Sequence, residues 1–267
     1  MNKISKTLQK IFKKFFYFLF SLSHGKIKGI ISSKTDSRIQ ISLAKFGENI
    51  NYKIYRIKNA RLYTDRIQDT ALILNNYIID GPSHQLRPVN NVSVDQNIVF
   101  KKGTPRFKKK IKGVVLSLLT GGAGNDNYFH WMFDVLPRIA IYQKIFDISD
   151  IDYFLLPDIK KKYQKESLDT LQIPREKRLS SKSFRHLVAD EIIVTEHPYC
   201  INNDADKEIE NIPIWISEWL KSVCLEKRKS NNSYPTKIYI DRKDSVSNTR
   251  NLRSILNEDQ IIDFLKK

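Results

Sequence analysis

The feature that most restricts the fold is a glycine-rich connection between two segments of opposite character. Residues 114–119 form an almost wholly apolar run of strand length, which reads as a buried strand. Gly121-Gly122-Ala123-Gly124 then places three of the chain's nine glycines in one tight connection. The run that follows, Asn-Asp-Asn-Tyr-Phe-His-Trp-Met-Phe-Asp-Val-Leu-Pro-Arg over 125–138, puts His130, Asp134 and Arg138 at i, i+4 and i+8. A helix there aligns all three on one face. Such pairs also occur on ordinary solvated helices, where each contributes a few tenths of a kcal/mol. Here, however, Tyr128, Phe129, Trp131, Met132, Phe133, Val135 and Leu136 cover most of the remaining circumference. The pattern suits a buried helix, and its polar residues then need a polar cleft. An imidazole at His130 bonded to the Asp134 carboxylate is an oriented acid/base pair, with Arg138 balancing the charge. Pro137 deprives a carbonyl four residues back of its donor, so a kink or early end is expected near Phe133.

Along the rest of the chain, residues 26–37 mix Gly, Ser and Lys and read as a linker. From residue 52 to about 100, short runs at 55–57, 71–73 and 77–79 predict small antiparallel strands. Residues 101–112 hold seven Lys or Arg and read as a solvated basic loop. Beyond the polar-faced helix the pattern alternates: strand 153–156, helix 159–171, strand 191–195. That rhythm predicts a parallel sheet covered by helices. Ligands of such sheets bind at the carboxyl ends of the strands, where 121–127 and Glu196-His197-Pro198 both fall. His197 is therefore a further candidate, with an ordinary turn histidine before Pro198 as the alternative. A helix over 212–227 is expected to pack Trp215 and Trp219 on the core. Polar residues 227–234 mark a boundary. Residues 237–240 and 257–265 read as the first strand and helix of a second α/β unit.

Composition sets the remaining bounds. A hydrophobic fraction of 41% and an aromatic fraction of 11% argue against disorder. Cys200 and Cys224 are too few for a disulfide framework or a zinc site, which favours a reducing compartment. The excess of 46 Lys and Arg over 29 Asp and Glu, a net +17, favours polyanionic partners. In residues 1–25, Lys3, Lys6, Lys10, Lys13 and Lys14 alternate with Ile4, Leu8, Ile11, Phe12 and an aromatic run from Phe15 to Phe20. The apolar stretch is shorter than the roughly 20 residues needed to span a bilayer, and no small-residue cleavage site of a signal peptide follows it. The segment is expected to be a basic amphipathic helix lying on an anionic membrane surface, at the cytoplasmic face of the inner membrane. A helix docked on the core with a basic outer face is the alternative. Basic residues are dispersed and no nucleic-acid-binding motif stands out, so no nucleic acid is expected as a partner.

The run Asn127-Tyr128-Phe129-His130-Trp131, with Asp134 and Leu136-Pro137-Arg138, resembles the signature of glycosyltransferase family 61, which includes capsular and exopolysaccharide transferases. Lys237-Ile238-Tyr239-Ile240-Asp241-Arg242 and Arg253-Ser254-Ile255-Leu256-Asn257-Glu258 resemble a second family segment. Weaker similarity extends from about residue 45 to the end. The resemblance implies an α/β, GT-B-like fold. Residues 38–230 would form a first, acceptor-side Rossmann-like domain with an N-terminal β-rich segment, and 235–267 only the start of a second, donor-binding one. No His-Gly-Ala-Gly-type loop of the family's donor half occurs, so the chain is expected to be C-terminally truncated. The implied activity is an inverting, metal-independent transfer of sugar from a nucleotide-sugar donor to a glycan or lipid-linked glycan acceptor in a growing cell-surface polysaccharide. No cofactor is implied. His130 and Asp134 would be catalytic, with either one the base. Asn127, Trp131 and Arg138 would bind substrate. Arg242, Arg250 and Arg253 would bind the nucleotide diphosphate, since guanidinium takes phosphate oxygens in bidentate fashion. The alternative is an inactive remnant that acts as a glycan-binding protein at the membrane surface.

Overall fold

In the computed structural model the residues described are 3–64, 70–83, 93–119, 127–200, 208–226, 238–239 and 257–266. The chain divides into two compact units, 1–227 and 228–267. The first is built on one mixed sheet of ten strands: β1 (Gly29–Ile31), β2 (Ile39–Phe46), β3 (Ile50–Lys58), β4 (Arg61–Thr64), β5 (Thr70–Leu74), β6 (Tyr77–Ile79), β7 (Lys109–Ser117), β8 (Tyr153–Leu156), β9 (Arg178–Ser180) and β10 (His186–Thr195).

The strand β10 joins the two halves of the sheet. Its apolar positions are buried almost throughout, as expected of a strand covered on both faces. On one side it runs parallel to β7, and β8 and β9 continue the parallel array. On the other side its first residues pair antiparallel with β4 and its last five with β3. The antiparallel half continues through β5 and β6, which pairs parallel with β1, while β2 and β3 form a hairpin. The register between β7 and β10 shifts between Ala189 and Glu191, where Gly113 has φ of 103° and its N–H bonds Asp190 Oδ2 at 2.8 Å. That backbone region strains any side-chain-bearing residue, so glycine is required at this bulge.

The expected parallel α/β rhythm is present over β7 to β10, and the predicted strand at 153–156 coincides with β8. Two expectations need correction. The linker at 26–37 contains β1, whose three residues pair with β6. The basic loop at 101–112 is interrupted by structure. Val99–Lys102 is a short helix, and Lys109 to Lys112 open β7, where pairing with β10 outweighs the unfavourable lysine run. The predicted helices at 159–171 and 212–227 are present as Lys162–Thr170 and Ile214–Glu226. Trp215 packs against Phe46 with ring centroids 4.1 Å apart and donates its indole N–H to Tyr52 Oη at 3.1 Å.

The first helix, α1 (Lys3–His24), is anchored near its end. Phe20 packs against Phe107 and His24 against the ring of His186. Ile11, Phe12, Phe15, Phe18, Leu19 and Leu22 fall within one arc of about 120° on the helix, and all are exposed. Phe20 and His24 lie off that arc. The residues of this apolar arc are thus left largely exposed. No described helix is long and apolar enough to cross a membrane.

In the second unit the described structure is the helix Glu258–Leu265, with Tyr239 Oη donating to Glu258 Oε1 at 3.0 Å. The expected strand at 237–240 lies largely outside the described residues.

Candidate functional site

The site is assembled just beyond the carboxyl end of β7. Asn127 caps the helical run that follows: its side-chain oxygen accepts from the N–H groups of Phe129 at 2.9 Å and His130 at 3.4 Å. A cap of this kind contributes about 1 kcal/mol. After one turn, Tyr128–His130, the backbone widens into a five-residue π turn, Trp131–Val135, closed by Leu136 N–H to Trp131 O at 3.2 Å. The α-helix then resumes at Pro137–Gln143 with Pro137 in its first turn. The widened turn accommodates the N–H that Pro137 lacks, so the helix does not end near Phe133. Trp131 is wholly buried, and its indole N–H donates to Ser167 Oγ at 2.8 Å, tying the π turn to the helix Lys162–Thr170.

On the opposite side of the turn, His130 Nδ1 lies 2.8 Å from Asp134 Oδ2. The two groups differ sharply in setting. The His130 side chain is 41% exposed and that of Asp134 only 6%. The hydrogen bond to Asp134 raises the pKa of His130 against the opposing effect of burial. Burial by itself would push the Asp134 carboxyl up, but the hydrogen bond from His130 and the nearby ring of His197 overcome it and hold the pKa at about 2. Asp134 is therefore a carboxylate, and the Nδ1–H of His130 is the donor. His130 Nε2 is left as the basic atom and makes no hydrogen bond among the described residues.

His197 arrives from the carboxyl end of β10, with Nε2 3.9 Å from the same Asp134 oxygen. Its Nδ1 accepts from the backbone N–H of Cys200 at 3.1 Å and of Tyr199 at 3.4 Å. That fixes the tautomer: the proton sits on Nε2 and points at Asp134. Burial lowers the pKa of His197, so it approaches the carboxylate as a neutral donor. The phenol of Tyr199 also faces Asp134, and burial followed by the carboxylate charge raises its pKa. Among the described residues, Asp134 Oδ1 has no hydrogen-bond partner of normal geometry. Arg138 is fully buried beneath these groups. Its Nε donates to the Asp134 backbone oxygen at 2.8 Å and its Nη1 to the Thr195 and Glu196 carbonyls at 3.1 and 3.4 Å.

The structure therefore brings His130, Asp134 and His197 together. The other residues expected to bind substrate are placed differently. Asn127 is a helix cap through its side-chain oxygen, Trp131 belongs to the core and donates its indole N–H to Ser167, and Arg138 clamps the end of β10 to the π turn. Arg242, Arg250 and Arg253 lie outside the described residues. Tyr199 was missed, because nothing local distinguishes it from a packing tyrosine; only the path of the chain after β10 brings it to the carboxylate. Two Asp-x-Asp tripeptides bear on the metal-free expectation. In Asp150-Ile151-Asp152, Asp152 accepts from Val114 N–H at 2.7 Å beside the amino end of β8, the opposite end of the parallel strands from His130. Asp204-Ala205-Asp206 lies outside the described residues. Among the described residues no group of three or more His, Cys, Asp or Glu is placed to hold a metal ion.

The sequence model of a protein family described as "Glycosyltransferase 61" matches residues 128–267, more than half of the chain, beginning one residue after the capping Asn127. No curated protein and no solved structure matches the chain.

Proposed function

The chain belongs to the glycosyltransferase 61 family, and from that membership we propose an inverting, metal-independent transfer of sugar from a nucleotide-sugar donor to a glycan or lipid-linked glycan acceptor of a cell-surface polysaccharide. One observation carries the assignment of roles within it: the imidazole of His130 is the solvent-facing member of a pair whose carboxylate is buried. A base must reach the acceptor hydroxyl, and an orienting group need not. His130 Nε2 is thus the general base and Asp134 the group that holds the ring and stabilises the imidazolium formed.

In the reaction, the acceptor oxygen bonds to the anomeric carbon as the bond from that carbon to the diphosphate oxygen breaks, and the hydroxyl proton passes to His130 Nε2. The departing diphosphate carries the negative charge, and Arg242, Arg250 and Arg253 are proposed to neutralise it. The proposed setting is a GT-B arrangement, with the acceptor on the first unit. The enzyme would work on the cytoplasmic face of the inner membrane, held there by the exposed apolar arc and the lysines of α1.

The test is transfer or hydrolysis from a panel of nucleotide sugars by the native protein and by His130→Ala. The substitution is expected to lower kcat by about 10²–10⁴-fold, the usual contribution of a positioned base, with an unchanged circular dichroism spectrum because the side chain is partly exposed. Retention of full turnover would remove His130 from the mechanism.

A further inference from the structure

Near its end, α1 is fastened to the body of the first unit. Phe20 meets Phe107 edge-on with ring centroids 5.0 Å apart, and His24 Nε2 lies 3.0 Å from the carbonyl oxygen of Arg106. That oxygen is held from behind as well, by His186 Nδ1 at 2.9 Å. Arg61 donates to the far ring nitrogen of His186, also at 2.9 Å. The end of α1 and the 104–107 segment therefore form one braced corner. Before that corner, helix and segment stand apart over an open groove of about 660 Å³. Phe12, Phe16 and Phe20 line it from α1, and Ile98 and Phe107 are also in its walls, with Lys102 and Arg106 among them.

We propose that this groove takes one acyl chain of an anionic phospholipid, with the headgroup phosphate against Arg106 and Lys102. Three observations converge on that occupant. The walls are aromatic and aliphatic, and Phe107, though it meets Phe20 edge-on, is left 80% exposed, a costly arrangement for an apolar ring. The charged members of the lining are cations, and Lys108, Lys109 and Lys110 follow directly along the chain, so the field at the mouth selects an anionic headgroup over a zwitterionic one. Phe12 belongs both to the groove and to the exposed arc of α1. The groove thus opens onto the face proposed to meet the bilayer, and a chain can enter it without crossing water. The inference rests on the membrane-surface reading but is distinct from it: a helix that merely lies on a bilayer needs no groove behind it.

The test uses the full chain and dihexanoylphosphatidylglycerol kept monomeric, followed by calorimetry, beside sedimentation with vesicles of phosphatidylglycerol and phosphatidylcholine in equal parts. Saturable one-to-one binding of the monomer is expected. Arg106→Gln, at an exposed position, and replacement of the lipid by dihexanoylphosphatidylcholine are each expected to weaken it about tenfold, the loss of one charge-assisted contact. Ile98→Asp, with its fold checked by circular dichroism, is expected to abolish it. Vesicle binding without saturable monomer binding would overturn the groove and leave the membrane reading standing. Absence of both would overturn the two together. Saturation by a short polyprenyl monophosphate but not by dihexanoylphosphatidylglycerol would overturn the occupant.

Discussion

At the scale of single residues, one carboxylate, that of Asp134, is shared by two imidazoles in opposite states. His130 is partly exposed and made more basic by Asp134, whereas His197 is buried, kept neutral and locked in one tautomer by backbone donors. Only the first has a side chain open to solvent. If His130 is the proposed base, its active form is the neutral ring, so with its pKa raised the acid limb of kcat is expected above the ordinary imidazole value of 6.5. Asp134→Asn removes the carboxylate that raises it. The limb then moves to lower pH and the plateau falls, because a less basic, untethered ring is a poorer base. A pH–rate profile checks this, and an unmoved limb would dissociate Asp134 from the base. Stability follows with its own signs. The contribution of His130 is complete below its unfolded pKa and lost as pH rises through its higher folded one. That of Asp134 is present above its unfolded value of 3.8 and lost as pH falls through about 2. Urea midpoints of the native protein are therefore expected to exceed those of Asp134→Asn most at about pH 5, between the two windows, and to converge toward them on either side.

At the scale of elements, the site depends on a helix that is deliberately imperfect. The Asn127 cap starts it, the π turn carries it past Pro137, and Trp131 and Arg138 fasten that turn to a neighbouring helix and to the end of β10. Asn127→Ala is expected to cost about 1 kcal/mol. Trp131→Ala empties a fully buried indole site and is expected to cost about 3–5 kcal/mol. Chemical denaturation measures both, and near-equal losses would contradict the separate roles of cap and core. These elements also mark what the sequence could and could not disclose. The i, i+4 spacing announced the His130–Asp134 contact, because helical neighbours are fixed locally, and Pro137 announced an irregularity. Its form, a wider turn rather than a break, depends on the packing of Trp131. His197 could be placed near the site from strand order, but its contact with Asp134 depends on the register of β10 against β7, which no local pattern encodes. Likewise, Lys109 to Lys112 look like a loop until β10 supplies a partner.

At the scale of the whole molecule, the proposed chemistry and the proposed membrane contact fall on different parts of the first unit, and that separation is itself testable. The His130 site stands beyond the carboxyl ends of the parallel strands, whereas the apolar arc of α1 is attached to the body through Phe20 and His24. Phe15 and Phe18 are 54% and 58% exposed, so Phe15→Ser with Phe18→Ser is expected to leave the fold unperturbed. If the arc is the membrane contact, each ring removed forfeits about 1.5–3 kcal/mol of burial, and binding to phosphatidylglycerol vesicles is expected to fall more than about tenfold. Salt discriminates further. With a net charge of +17, part of the attraction is electrostatic and weakens as the Debye length shortens to about 3 Å at 1 M ionic strength, while the aromatic part persists. The native chain is thus expected to keep a salt-resistant fraction on vesicles that the double variant lacks. Turnover of a water-soluble acceptor should be the same in both, since neither ring approaches His130. Loss of turnover alongside loss of binding would mean that membrane attachment completes the site rather than merely locating it.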